Sequence, residues 1–117
     1  MRKVMAIYGT RPEAIKMAPL IGALAQHPSL APIVAVTGQH REMLDQVSDL
    51  FGIVPDHDLD LMSQGASLTQ ITTRTLSATS ALLESARPDC VVVQGDTTSA
   101  EVKALAACYH QIPVVHL

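Results

Sequence analysis

Aromatic and basic residues are scarce in this 117-residue chain, and their scarcity excludes one class of partner. Aromatic residues make up 3% of the sequence and tryptophan is absent, so the bases of a nucleic acid would find little surface on which to stack. Lysine and arginine total eight, against eleven acidic residues, and they form no basic cluster of the kind that binds phosphate backbones. We therefore expect no nucleic-acid partner.

Long apolar runs and paired cysteines are also missing. The apolar runs stay well short of the ~20 residues that a membrane-spanning helix needs, and polar residues 9–13 interrupt the start before an export signal could form. The two cysteines, Cys90 and Cys108, fall in a predicted strand and a predicted helix, which favours small buried side chains over a disulfide. These features predict a cytoplasmic protein with no membrane partner.

Sequence motifs for common cofactors do not occur either. We find no G-x-G-x-x-G fingerprint, no P-loop and no metal-ligand spacing, so no cofactor and no metal is expected. Hydrophobic residues nonetheless make up 48% of the chain and charged residues only 16%. This balance and length predict one globular domain with a substantial core.

Apolar runs alternate with amphipathic segments along the whole chain, which predicts an α/β fold with a doubly wound parallel sheet. Pro19 should kink or divide the first helix. In the last helix, Val102, Leu105, Ala106 and Tyr109 share one face and should point inward. The predicted elements, in chain order, are strand 4–8, helix 12–26, strand 33–37, helix 41–51, edge strand 59–62, helix 68–86, strand 89–93, helix 98–109 and strand 114–117.

The first strand leads directly into a candidate site. Gly9 ends the strand, Thr10 can cap the next helix, and Pro12 suits its first turn. Ligands of open α/β sheets bind outside the carboxyl ends of the strands. Arg11, beside free helix N–H groups, therefore suits a phosphate or a carboxylate. An ordinary loop with a solvated arginine is an equal alternative on this stretch alone.

Further polar residues follow the same edge of the predicted sheet. Asp96 comes directly after an apolar strand, where its carboxylate could move a proton or bind a sugar hydroxyl; capping the next helix is the alternative. Lys16 lies five residues beyond Arg11, roughly 140° around an ideal helix. The two therefore share a face, and could reach one anionic group together, if Arg11 precedes the helix; a solvated helix face is the alternative that the spacing alone favours. His40 and His116 could also face this edge.

Five segments of the chain together carry a resemblance that spans its whole length. They are GTRPEAIKMAP at 9–19, GQHREMLDQV at 38–47, RPD at 87–89, QGDTTSA at 94–100 and YHQIPVVH at 109–116. In this order they closely resemble the non-hydrolysing UDP-N-acetylglucosamine 2-epimerases. That family has two Rossmann-like domains, as in the glycogen phosphorylase-like glycosyltransferases, with the site between them. The resemblance implies that residues 1–117 are a truncated N-terminal domain and that the second domain is absent.

The resemblance also implies a reaction and a set of site residues. The family removes the C2 proton of UDP-GlcNAc, expels UDP to give 2-acetamidoglucal, and re-adds UDP to give UDP-ManNAc. Arg11 and Lys16 match residues that hold the diphosphate and support catalysis, and Asp96 matches a carboxylate implicated in acid/base work. Gln39 and His40 match a substrate-binding region that contacts a second, regulatory UDP-GlcNAc in bacterial members.

Other parts of the family's site have no counterpart in the sequence, which stops at Leu117. A second catalytic carboxylate follows that point in the family, and the second domain supplies a catalytic histidine. We therefore expect the isolated chain to be inactive and to need the missing domain or a full-length homologue as its partner; a homodimer is left open. The alternatives are a non-catalytic docking module that binds through its open sheet edge and the donor half of a related glycosyltransferase. The family suggests a role in cell-envelope polysaccharide supply.

Overall fold

The computed structural model describes residues 2–37, 52–59, 61, 67–95 and 98–117, without the side chains of residues 11, 98 and 99. The predicted helix at 41–51 lies outside these residues, as do Gln39, His40 and Asp96. The strands and helices are, in chain order, β1 Arg2–Tyr8, α1 Arg11–Gln26, β2 Leu30–Val36, β3 His57–Asp58, α2 Leu68–Ala86, β4 Cys90–Val93, α3 Thr98–Tyr109 and β5 Val114–His116.

The five strands form one parallel sheet in the order β3-β2-β1-β4-β5. The chain builds outward from β1 to β2 and β3, then returns to add β4 and β5 on the other side of β1. The predicted doubly wound α/β class is therefore confirmed. The reversal places a crevice between the carboxyl ends of β1 and β4, which is where such sheets bind ligands.

The central strand β1 sends alternate side chains into two hydrophobic layers. Ala6 and Tyr8 pack on one face with Met17 and Ile21 of α1. Met5 and Ile7 pack on the other face with α2, α3 and the neighbouring strands. Because both faces are covered, the strand is a continuous apolar run, as the sequence predicted.

Helix α1 runs without interruption through Pro19. The sequence predicted that Pro19 would kink the helix or divide it into two. The division into two helices is not observed. Proline removes one intrahelical hydrogen bond, to the carbonyl of Ile15. Ile15 and Pro19 are both exposed, so water can satisfy that carbonyl without breaking the helix.

The edge strand β3 is real but lies earlier than predicted. The Asp56 N–H donates to the Val34 carbonyl at 2.8 Å, and the Asp56 carboxylate accepts the Val34 N–H at 2.7 Å. These two bonds set the register, so that His57 pairs with Ala35. The prediction at 59–62 was therefore wrong in position.

The inward face of α3 differs from the prediction. Val102 and Ala106 are buried as expected, but Leu105 and Tyr109 are 41% and 68% exposed. The buried stripe runs instead through Ala100, Lys103 and Ala107. The alanines leave room for α3 to lie close to α2 and β4, which turns the larger side chains outward.

The two cysteines are free thiols in different environments. Burial raises the pKa of the half-buried Cys90 thiol, whereas Cys108 is exposed on α3. The expectation that both are buried is therefore wrong for Cys108, because α3 presents a different face to the core. Within the described ranges, no helix is both long and apolar enough to cross a membrane.

Two leucines of α2 provide a test of this packing. Leu83 is 1% exposed and Leu68 is 66% exposed. We predict that Leu83→Ala lowers the free energy of unfolding by about 2–5 kcal/mol, since it leaves a cavity in the core. Leu68→Ala, the matched control, should change it by no more than about 0.5 kcal/mol. Urea denaturation measures both, and equal effects would contradict the observed face of α2.

Candidate functional site

Four chain segments meet at the carboxyl edge of the sheet. Gly9 follows β1, Thr37 follows β2, Gly95 follows β4, and His116 ends β5. Gly9 and Thr37 are buried, and Gly95 has a φ of +91°, a conformation that glycine adopts without strain. The candidate site predicted at this edge therefore has a floor made of closely packed backbone.

A capping box fixes the start of α1. The Glu13 carboxylate accepts the N–H groups of Gly9 and Thr10 at 2.7 and 3.0 Å, and the Thr10 hydroxyl accepts the Glu13 N–H at 3.4 Å. The Ala14 N–H donates to the Thr10 carbonyl, and Pro12 has no N–H to offer. The predicted cap at Thr10 is confirmed. The expectation of free N–H groups is wrong for Gly9 and Thr10, because the Glu13 carboxylate occupies both donors.

Lys103 of α3 was not singled out by the sequence, yet it lies beneath this loop. The side chain is 1% exposed, and its Nζ would be 3.6 Å from a Cβ placed on Gly9. Among the described residues its Nζ has no hydrogen-bond partner, and the same is true of Glu13 Oε1. Burial lowers the pKa of Lys103 to about 8, and the Glu13 carboxylate opposes that change by favouring the charged form.

The loop packs tightly against Thr37 because residue 9 is glycine. A Cβ on Gly9 would lie 2.1 Å from the Thr37 hydroxyl oxygen, far inside contact distance. Glu13 also approaches the end of β4, since a Cβ on Gly95 would be 4.0 Å from Glu13 Oε1. Residues from β1, β2, β4, α1 and α3 thus converge beneath the start of α1.

The structure places only some of the predicted site residues. Arg11 is the first residue of α1 and does not precede the helix, so it does not share a face with Lys16. Lys16 is exposed and lies roughly 7.5 Å further along the helix axis. Asp96, Gln39 and His40 lie outside the described residues, so their proposed roles stay predictions.

His116 comes to the carboxyl end of β4, as the sequence had suggested it could. Its Nε2 contacts the carbonyl of Gly95, and because a carbonyl only accepts hydrogen bonds, this nitrogen carries the proton. The ring therefore steadies the backbone just before Asp96. Among the described residues, no cluster of three or more potential ligands is placed to hold a metal ion.

A cavity of about 700 Å³ lies at the opposite edge of the sheet, at the amino end of β4. Arg87, Glu84 and His110 contribute to its lining, and His110 Nε2 lies 2.6 Å from the Ser80 hydroxyl. This bond ties α2 to the turn after α3. Sheets of this kind bind ligands at the carboxyl ends of their strands. The cavity lies at the amino end of β4, so it is separate from the candidate site.

The arrangement at the carboxyl edge suits recognition of an anion by side chains. The backbone donors of the capping box are occupied, so an anion here would need contacts from side chains. A glycine on each side of the crevice lets a ligand approach the backbone closely.

Comparison with known proteins identifies the family of the chain. Residues 22–117 match the family model described as UDP-N-acetylglucosamine 2-epimerase. The chain belongs to this family. It is 55% identical over 115 residues to the UDP-N-acetylglucosamine 2-epimerase of Escherichia coli K12, covering 98% of this chain and 31% of that protein.

The similarity to epimerases extends to three-dimensional structure. The crystal structure of the Neisseria meningitidis UDP-GlcNAc 2-epimerase bound to UDP-GlcNAc superposes with a TM-score of 0.94 at 51% identity, over 98% of this chain and 31% of that one. MurG of Acinetobacter baumannii shares the fold alone, with a TM-score of 0.78 at 17% identity over 99% of this chain and 35% of MurG. The chain thus corresponds to the N-terminal portion of the epimerases, about a third of their length.

Two glycines of the chain test the close packing of the loop. We predict that Gly9→Ala lowers the free energy of unfolding by about 1–3 kcal/mol, because its Cβ would displace Thr37. Gly22→Ala in α1 is the matched control: its Cβ would meet nothing within 4 Å, and alanine favours the helix by about 0.5–1 kcal/mol. Thermal unfolding distinguishes the two, and a neutral Gly9→Ala would contradict the packing described.

The buried lysine predicts how stability depends on pH. Its folded pKa, about 8, lies below the ordinary value, so the unfolded chain holds this proton to higher pH than the folded chain. The free energy of unfolding should therefore rise from about pH 8 to pH 10.5, by up to about 3 kcal/mol from this group. Lys103→Met should abolish the rise, and Lys16→Met, which removes an exposed lysine, should preserve it. Identical pH profiles for all three proteins would refute the burial of a charged Lys103.

Proposed function

We propose that this chain forms the N-terminal half-site of a non-hydrolysing UDP-GlcNAc 2-epimerase that interconverts UDP-GlcNAc and UDP-ManNAc. The observation that carries the proposal is the 51% identity, over 98% of the chain, to an enzyme whose crystal structure contains UDP-GlcNAc. The crevice between β1 and β4 supports it, because its glycines leave room for the nucleotide sugar beside the start of α1.

The proposed reaction breaks and re-forms two bonds of the sugar. A base takes the C2 proton while the C1–O bond to UDP breaks, which gives 2-acetamidoglucal and free UDP. Protonation of C2 from the opposite face, with re-formation of the C1–O bond, gives the epimer. Because negative charge grows on the departing diphosphate, cations near its oxygens stabilise this step.

Arg11 and Lys16 are the residues we propose to hold the diphosphate, each contacting it from its own side, since on one helix they lie roughly 140° apart. Arg11 stands at the first position of α1, where the helix dipole also favours an anion. Lys16 is exposed and carries its charge on a flexible stem that can reach a phosphate along the helix surface. With the capping box filled by Glu13, these side chains would supply the contacts that backbone N–H groups cannot.

Asp96 is the residue we propose for acid/base work. It follows Gly95 at the carboxyl end of β4, and the His116 contact with the Gly95 carbonyl holds the backbone at that point. A carboxylate there could take or return the C2 proton. Gln39 and His40, which follow Thr37 after β2, would contact the substrate or a second nucleotide sugar from the neighbouring strand.

We further propose that the 117-residue chain is inactive by itself. It spans 31% of the length of the epimerases it matches, and the elimination requires UDP to stay bound until it re-adds. Holding both fragments of the substrate in place accounts for much of the rate of such reactions. A half-site would release UDP before the second step.

A hybrid enzyme tests the function. It consists of residues 1–117 followed by the part of the Escherichia coli relative that lies beyond the matched region. We expect the hybrid to interconvert UDP-GlcNAc and UDP-ManNAc and the isolated chain to show no conversion. Asp96→Asn, Arg11→Met and Lys16→Met in the hybrid should each lower kcat by about 100-fold or more.

The exposed Glu101 of α3 provides the control. Glu101→Gln removes one charge from the helix that follows Asp96 and should leave kcat unchanged. Conversion by the isolated chain would overturn the proposal that it is inactive. A folded hybrid that neither binds UDP-GlcNAc nor converts it would overturn the epimerase function and favour the docking module.

A further inference from the structure

Glu13 and Lys103 form a buried pair of opposite charges that the proposed reaction does not use. They come from α1 and α3 and are 4% and 1% exposed. The carboxylate accepts the Gly9 and Thr10 N–H groups, while the ammonium lies close to Gly9. Both charges therefore lie against the loop that begins the candidate anion site.

The Glu13 carboxylate creates an electrostatic problem for an anion site. It uses the backbone donors at the start of α1 and adds a negative charge at the place where a diphosphate is proposed to bind. Water screens this charge poorly because the carboxylate is buried. Without a nearby cation, Glu13 would repel the ligand that Arg11 attracts.

Lys103 supplies that cation from inside the protein. With a pKa of about 8, it is mostly protonated at neutral pH. Its Nζ is shielded from solvent by the loop, so it acts through the loop and its charge rather than by touching the ligand. The ammonium lies against Gly9, since a Cβ on that residue would be 3.6 Å from Nζ, an ordinary contact distance.

We propose that Lys103 is a positioning residue for the anion site at the start of α1: its buried ammonium compensates the Glu13 carboxylate and so raises the affinity of the site for a diphosphate. This inference rests on the proposed function, because it takes the diphosphate of a nucleotide sugar as the ligand. It adds to that function a residue from α3 that does not contact the ligand.

The test measures the dissociation constants of UDP and of uridine for the hybrid enzyme by calorimetry. Lys103→Met should weaken UDP about tenfold, the effect of one charge ~10 Å away at an effective dielectric constant of about 20. It should leave uridine, which has no phosphate, unchanged. Adding Glu13→Gln to Lys103→Met should restore most of the UDP affinity, because the uncompensated carboxylate is then gone. Arg2→Gln, which removes a cation at the amino end of β1, is the control and should bind UDP normally.

A purely structural role for Lys103 predicts a different pattern. UDP and uridine would then weaken together, and the double variant would recover nothing; either result overturns the proposal. If Lys103→Met does not fold, Glu13→Gln alone decides, since it should tighten UDP binding, and unchanged or weaker binding contradicts the inference. If the hybrid without further substitutions fails to bind UDP, both the proposed function and this inference are refuted. If that hybrid binds UDP and its Lys103→Met variant binds UDP equally tightly, this inference alone is refuted.

Discussion

The contact between the Glu13 carboxylate and the N–H groups of Gly9 and Thr10 is the constraint on which the candidate site depends. It closes the turn between β1 and α1 and begins α1 at Arg11. The same carboxylate brings a charge into the interior, which the ammonium of Lys103 faces from α3. One capping interaction thus sets the direction of a helix, the geometry of a loop and the electrostatics of a crevice.

The sheet topology explains why these residues meet although they are distant in sequence. Glu13 and Lys103 belong to the helices that follow β1 and β4, which cover opposite faces of the sheet. These two strands are neighbours, so the starts of both helices come to the same edge. The doubly wound order therefore assembles one site from the first and last parts of the chain. The residues between them form the rest of the sheet and the helix α2 that packs on it.

Much of this arrangement could be predicted from the sequence, because its signals are local. Continuous apolar runs gave the strands, and α2 was predicted with the bounds Leu68–Ala86 that the structure has. The cap at Thr10 followed from neighbouring residues. The errors came from contacts between elements: the Asp56 bonds to Val34 moved β3, and the alanines of α3 turned Leu105 and Tyr109 outward. Lys103 could not be found, since helical periodicity treats a lysine as an exposed residue, and its partner lies 90 positions away in another element.

The continuity of α1 through Pro19 has a mechanical consequence. A helix of 16 residues is about 24 Å long, and one that is unbroken pivots as a rod instead of folding at its middle. Its first residue is Arg11 and its last is Gln26, which lies just before the turn into β2. The start of α1, which is proposed to bind the diphosphate, and the turn into β2 at the opposite edge of the sheet are therefore joined by one continuous helix.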